Sequence, residues 1–222
     1  MTILYADHDL LLVEKPAGMP AQPDPSGQES LLAQLQVKYP TAHLVHRLDT
    51  PTGGVMVFGL SPKGTAALSA LVQDHEAFCK EYLAVLSAPL ATPEGVLEDL
   101  LYHEKRQNKA FVVESSRKGA KQATLTYRTL CTVSDGHSLV LVRLHTGRTH
   151  QIRVQFASRG LPLCGDGKYG SREKCPFIGL WAHRLTFKHP LTGKSISAIS
   201  TPPTTDAPWS IFASYLTNKE TE

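Results

Sequence analysis

The stretch "VHRLDTPTGGVMVF", Val45 to Phe58, sets one carboxylate, Asp49, beside His46 and Arg47 and then runs into an apolar segment. An aspartate next to an arginine has its pKa lowered and stays ionised at neutral pH. In a water-poor pocket such a carboxylate can attack carbon as a nucleophile or stabilise cationic character on a sugar ring. A counter-charge stands downstream. From Arg143 to Arg159 there are four arginines (Arg143, Arg148, Arg153 and Arg159), two histidines and no acid. Apolar residues are threaded through that run, so some of its guanidinium groups must lie near the core, where they need an anionic partner. Asp49 is the candidate. Between His103 and Gln122 a further basic run, Lys105, Arg106, Lys109, Arg117, Lys118 and Lys121, outnumbers Glu104 and Glu114. Local runs of this kind hold a phosphate backbone even in a nearly neutral protein. For the run around Lys105 to Lys121, a solvated hairpin is the competing reading.

Three other chemistries are tested by the same letters. "HRLD" differs from a kinase catalytic loop by the intervening leucine, and neither a glycine-rich phosphate loop nor D-F-G is present. His46, His145, His150 and His183 show no H-x-x-x-H spacing, and neighbouring arginines would repel a cation, so no metal site is expected. A serine or cysteine nucleophile would need a strained turn such as G-x-S-x-G, which is absent. Cys79, Cys131, Cys164 and Cys175 are scattered without a C-x-x-C pair and read as reduced, structural thiols. Asp49, just before Thr50-Pro51, also suits a plain turn, and Tyr82 in an apolar strand also suits a core residue.

These groups need elements to hold them. Leu10 to Val13 reads as a strand, followed by the loop "KPAGMPAQPDPSG". Ser30 caps a helix carrying Leu31, Leu32, Leu35 and Tyr39, which Pro40 ends. Val55 to Leu60 reads as a buried strand, Gly53 and Gly54 before it as a turn that aims Asp49, and Ser61-Pro62 starts a helix with a narrow, small-residue face of Ala66, Ala67, Ala70 and Leu71. From Lys80 onward "KEYLAVLSA", "KAFVVESS", "KQATLTYRTLCTV" and "HSLVLVRLH" are strand-like runs that suit antiparallel pairing. Thr149 to Arg159 fits a helix with Gly160 just past its end, because Ile152 and Phe156 fall four apart, and equally fits a strand. "LTFKHPLTGKSISAIS" reads as a hairpin turning at Thr192-Gly193, and "PWSIFASYL" as a closing helix.

A chain of 222 residues suits one domain, here 1–222. Its 41% hydrophobic and 19% charged residues describe an ordinary globular protein, and a net charge of +3 decides little about partners. No apolar run approaches the ~20 residues needed to cross a bilayer, and the N-terminus lacks the basic start of a signal peptide, which points to the cytoplasm.

In order and spacing, "LLLVEKPAGMPAQP", "HRLDTPTGGVMVFGLS", "KEYLAVL", "LHTGRTHQIRVQFASRGLPLCGDGKYG" and "LWAHRLTFKHPLTGK" are similar to the successive motifs of the RluA-type RNA pseudouridine synthases. The resemblance runs from about Leu10 to about Pro203. It implies an α+β fold, a mixed, mostly antiparallel split sheet around a central catalytic cleft with flanking helices. It implies no cofactor, no metal, a monomer, and isomerisation of a uridine in structured RNA, a stem-loop of rRNA or tRNA. Asp49 falls on the family's essential aspartate, which attacks either ribose C1′ or the uracil ring. Arg153 falls on the arginine that pairs with it. Tyr82 falls on the tyrosine that stacks on the uracil and is proposed to take the C5 proton, and Arg47 on the arginine implicated in displacing the base. Arg148, His150, Lys105, Arg106, Lys109 and Lys118 are the candidate RNA contacts. Taking a base out of its stack costs a few kcal/mol, which Tyr82 as a stacking surface and Arg47 as a plug would offset.

The chain departs from the pattern in two ways. It has Thr52-Gly53-Gly54 where relatives commonly show Thr-Ser-Gly, which is expected to loosen the turn. Its catalytic motifs begin within the first fifteen residues, which leaves no room before them for the small basic RNA-binding domain many relatives carry. Two rivals stand beside this reading: an RNA-binding module without chemistry, and a glycosidase-like hydrolase using Asp49 with Asp166 or Glu81.

Overall fold

A computed structural model of the chain describes residues 2–218. In chain order the elements are β1 (Ile3–Ala6), β2 (Leu10–Lys15), α1 (Leu31–Lys38), β3 (His43–Leu44), β4 (Gly53–Gly59), α2 (Pro62–Leu71), β5 (Phe78–Leu86) and β6 (Glu94–Glu104). Then follow β7 (Lys109–Val113), β8 (Lys121–Thr132), β9 (Ser138–Leu144), α3 (Gln151–Ala157), β10 (Leu180–Lys188), β11 (Ser195–Ile199) and α4 (Ala213–Asn218), with short 3₁₀ turns at Gly167–Tyr169 and Trp209–Phe212. Strand pairing is mostly antiparallel, with β10 and β4 parallel, so the fold is the expected mixed sheet with few helices. The chain divides into two compact units, residues 1–81 with 181–202, and residues 82–180 with 203–222.

In the first unit β4 is the central strand, and all seven of its residues are buried. A strand covered on both faces reads as a continuous apolar run rather than an alternation, as "GGVMVFG" does. On one face Leu10 and Leu12 of β2 and Val55 and Val57 of β4 pack with Leu68 and Val72 at α2 and with Phe78, Leu185 and Phe187. Each such side chain contributes about 1.5–3 kcal/mol on burial. Ser61 caps α2 by accepting from Gly64 N–H, with Pro62 at the first position, as the sequence predicts. The buried residues of α2 are Gly64 and Leu68, not the expected alanine face, whose Ala66 and Ala70 are exposed; a Cβ on Gly64 would stand 2.6 Å from the Asp9 carbonyl oxygen.

One edge of β4 pairs with β2 and the other is shared. β10 lies parallel to it at Gly53 and Gly54, and the two-residue β3 pairs with it at Phe58 and Gly59. The glycines are required by the parallel crossing. A Cβ on Gly53 would fall 2.1 Å from the Trp181 ring, and Gly54, at φ +113°, faces the Ala182 carbonyl at 2.2 Å. Gly53 therefore does not loosen a turn; it makes room for Trp181, whose indole N–H donates to Ser200 Oγ at 3.0 Å while that hydroxyl donates to Glu14. A serine at this position could not coexist with this tryptophan as it stands.

In the second unit β9, β8, β6 and β7 form an antiparallel run in that spatial order. The sequence did not reveal β6. Along its eleven residues only Leu97 and Leu101 are buried, four apart, a spacing that mimics a helix and hides the strand period. The open choice at Thr149–Arg159 resolves as helix: α3 lays Val154 against Leu101, Ala110, Ala123 and Tyr169, and Gly160 follows at φ +76°. The closing "PWSIFASYL" divides into the 3₁₀ turn at Trp209 and α4.

Candidate active site

Asp49 lies half-buried on the loop between β3 and β4, with Leu48 buried behind it and Arg47 exposed in front. Two polar groups hold this loop. Lys15, at the end of β2, is fully buried, and its Nζ donates to the carbonyls of Pro16 (2.9 Å), Met19 (2.6 Å) and Thr50 (3.1 Å). Burial pushes the Lys15 pKa down to about 7, and the Asp49 carboxylate opposes that shift. Three carbonyl acceptors match the three N–H bonds of the ammonium, so the cation is the form that satisfies them all. Gly18 N–H adds a bond to the Thr50 carbonyl at 2.9 Å, so the Lys15–Met19 loop clasps the residue after Asp49.

His46 does the corresponding work on the other side. β3 ends at Leu44, and where a longer strand would have met β4 the imidazole Nε2 accepts the Val57 N–H at 3.1 Å. The ring also packs edge-on against Phe78, 5.9 Å between centroids. Burial, and then the nearby Lys80 charge, push the His46 pKa down to about 3, so the ring is neutral and Nε2 keeps its lone pair for the backbone. Lys80 is itself pushed down to about 8 by burial, with its Nζ 5.4 Å from the Phe78 ring.

In the second unit Arg153 is 4% exposed on α3, and its Nε and Nη2 donate to the two oxygens of Asp166 at 2.7 and 2.9 Å. A buried guanidinium needs such a partner, because an uncompensated ion there costs several kcal/mol. Arg159, from the same acid-free run, is clasped by Asp99 at 2.9 and 3.2 Å. The anions that the run demanded thus include acids from other segments, Asp166 and Asp99. Tyr82, on β5, is buried at 8% exposure.

His150, expected among the RNA contacts, is buried at 8% exposure with φ +53°. Its Nδ1 lies 2.8 Å from the Tyr169 hydroxyl, which accepts the Ala110 N–H at 2.8 Å, so the histidine ties α3 to β7 instead of facing solvent. The other basic candidates are on the surface. Lys105 and Arg106 sit at the β6–β7 turn and Lys118 in the loop before β8, all exposed. Lys105, Arg106 and Arg148, with Tyr102, His103 and Lys121, line a cavity of about 620 Å³. Arg148 is fixed by donating from Nε to the Gln122 carbonyl at 3.0 Å, and Arg117 stacks on Tyr102 with 3.4 Å to the ring centroid. Lys109 lies behind the groove, its Nζ 5.3 Å from the Tyr169 ring. Residues from both basic runs, separated by more than twenty positions, thus share one groove.

Neither Lys15 nor Asp166 announces itself in the sequence as a support of the site. Lys15 is the lysine of "EKPAG", and its signal is a charge at the end of an apolar run, Leu10 to Val13. Asp166 reads there as a second acid for hydrolysis.

Similarity to known proteins specifies what this fold carries. The family model described as RNA pseudouridylate synthase matches residues 9–158. The dual-specificity RNA pseudouridine synthase RluA of Yersinia pestis is 32% identical over 87% of this chain and 95% of its own length, and that of Escherichia coli K12 is 30% identical over 89% and 91%. The structure of human RNA pseudouridylate synthase domain containing 1 shares the fold, with a TM-score of 0.77, 24% identity, and coverage of 91% of this chain and 84% of the human one. The chain belongs to the RNA pseudouridine synthase family, isomerases that convert uridine in RNA to pseudouridine. Among the described residues no helix is long and apolar enough to cross a membrane.

Proposed function

We propose that this enzyme isomerises uridine in a stem-loop of ribosomal or transfer RNA, acting as a cytoplasmic monomer without cofactor, and that Asp49 is its catalytic carboxylate. The carrying observation is the Asp49 loop itself: an exposed-side carboxylate in the family's H-R-L-D motif, on a loop immobilised from beneath by Lys15 and from the side by His46. A group that must meet a sugar or base at one geometry gains from such prior positioning, since well-oriented reactions avoid about 7–11 kcal/mol of entropic cost. In this reading Tyr82 stacks on the displaced uracil and receives the C5 proton, Arg153 pairs with Asp49, and Arg47 occupies the place the base has left. The groove lined by Lys105, Arg106 and Arg148 holds phosphates of the flanking RNA, with Lys118 at its margin and Lys109 within reach. A hydrolase using a second carboxylate is less well supported, because Asp166 has both oxygens on Arg153 and Glu81 is paired with Arg184 at 3.2 Å.

The test is tritium release from RNA labelled at uracil C5. Wild-type protein is expected to release tritium and to leave pseudouridine in the digested RNA. Asp49→Asn is expected to release less than a thousandth as fast, with unchanged melting temperature and RNA affinity. Normal turnover by that variant would remove Asp49 from the mechanism, and free uracil among the wild-type products would favour the hydrolase. Turnover by wild-type protein without a loss in Asp49→Asn would leave the family activity in place while discarding the proposed residue.

A further inference from the structure

Away from the groove, three separate segments of the second unit bring metal-binding side chains to one place. His137 stands in the β8–β9 turn, Cys164 follows α3, and Glu173 and Cys175 follow the 3₁₀ turn at Gly167–Tyr169. His137, Cys164 and Glu173 each offer one ligand atom, and these atoms lie within 4.8 Å of one another. Glu173 Oε2 is 3.0 Å from His137 Nε2. Cys175 lies outside this group of three, its Cβ 2.9 Å from where a side chain on Gly165 would begin. Behind the imidazole, His137 Nδ1 lies 2.8 Å from Asp135 Oδ1.

A carboxylate on the far nitrogen of a histidine whose near nitrogen faces a thiol and a second carboxylate is the usual outer shell of a metal-binding histidine, orienting the ring and raising its basicity. The Cys164 thiol is in no disulfide. From this geometry we propose that His137 Nε2, Cys164 Sγ and the Glu173 carboxylate bind one zinc ion, with Asp135 beside the other imidazole nitrogen. The mixed sulfur, nitrogen and oxygen set suits zinc, whereas magnesium and calcium take oxygen alone. Zinc bonds of about 2.0–2.3 Å put tetrahedral ligand atoms about 3.4–3.8 Å apart, a modest closure of the present cluster. On binding, Cys164 releases its thiol proton to solvent and no electron is transferred. Three protein ligands leave the fourth tetrahedral position to solvent. The ion fixes the loop at Cys164, two residues before the Asp166 that clasps Arg153. The spacing rules applied to the sequence looked for paired histidines on one helix, and this set is assembled from turns.

The experiment uses the full chain, purified under reducing conditions, stripped by chelator and titrated with Co²⁺ and then Zn²⁺. One equivalent of Co²⁺ is expected to bind with thiolate-to-cobalt absorption in the near ultraviolet, and Zn²⁺ is expected to abolish that band. His137→Ala and Glu173→Gln, both at half-buried positions, are each expected to bind Zn²⁺ at least about tenfold more weakly, with Cys131→Ser unchanged. Three results would each overturn the site: no stoichiometric cobalt binding, binding without thiolate absorption, or wild-type affinity in both His137→Ala and Glu173→Gln. Because Cys164 is fully buried and its replacement can unfold the loop, the wild-type spectrum and the two milder variants carry the decision.

Discussion

The two units immobilise a cation in opposite ways. In the first, Lys15 is buried against three neutral carbonyls, and through Thr50 its ammonium pins the loop that carries Asp49. In the second, Arg153 is buried against a carboxylate and clasped on two of its nitrogens. A lysine ammonium is a point charge with three donors that can be shared among backbone groups, while a guanidinium is a planar fork that matches a carboxylate. The first arrangement holds a loop through its backbone carbonyls. The second fixes the charged group itself.

The largest effect is expected where a buried ion loses a partner of opposite sign. Arg153→Leu leaves Asp166 buried beside an apolar side chain and should cost about 3–5 kcal/mol in urea unfolding, with tritium release nearly lost. The double variant Arg153→Leu with Asp166→Leu should recover much of the stability and none of the activity. If stability alone returned no better than in the single variant, the pair would not be the unit described.

Lys15→Met should cost somewhat less, about 2–4 kcal/mol, because it strands three carbonyls that are neutral. Its distinguishing sign is kinetic: the loop bearing Asp49 loosens, so turnover per folded molecule falls while RNA affinity holds. Equal turnover in the folded fraction of the variant would separate Lys15 from the site.

His46 sharpens the contrast through pH. Its pKa is about 3 in the folded protein against an ordinary value of 6.5, so between those values the unfolded chain binds the additional proton. The stability from the neutral ring is therefore complete above about pH 6.5 and is lost as pH falls towards 3, at up to about 1.4 kcal/mol per pH unit. His46→Asn should be less stable at pH 7 and should show a shallower loss between pH 7 and pH 5 in denaturant titrations. A slope identical to wild type would mean that the ring is already charged.

The smallest effect belongs to the exposed cations. Lys105→Ala and Arg106→Ala should leave stability and turnover at saturating RNA unchanged, while each lowers the slope of log affinity against log salt by about one. A changed turnover with an unchanged slope would place these residues in the chemistry and not in the groove.

Much of the fold was readable because its signals are local. Ser30 and Ser61 cap helices by bonding to backbone three residues on, and β4 and β9 announce themselves as apolar runs. β6 was hidden because its two buried leucines fall at helical spacing, and His150 was misread because a polar letter in a basic run does not say which way its side chain faces. The role of His46 was open because it takes the place of a strand residue missing from β3, an arrangement visible only once β4 has its neighbours.

By itself the sequence determined the family, the capped helices, the apolar strands and Asp49 as the acid in its motif, since each depends on residues close together in the chain. Tertiary structure alone decided that Lys15 holds the loop after Asp49, that Asp166 and Asp99 compensate the arginine run, that Gly53 clears space for Trp181, and that residues from two distant basic runs line one groove. The physical reason is common to all four. A buried charge, a close backbone approach or a field of cations is resolved by whatever group the fold brings within a few ångströms, and chain separation does not record that distance.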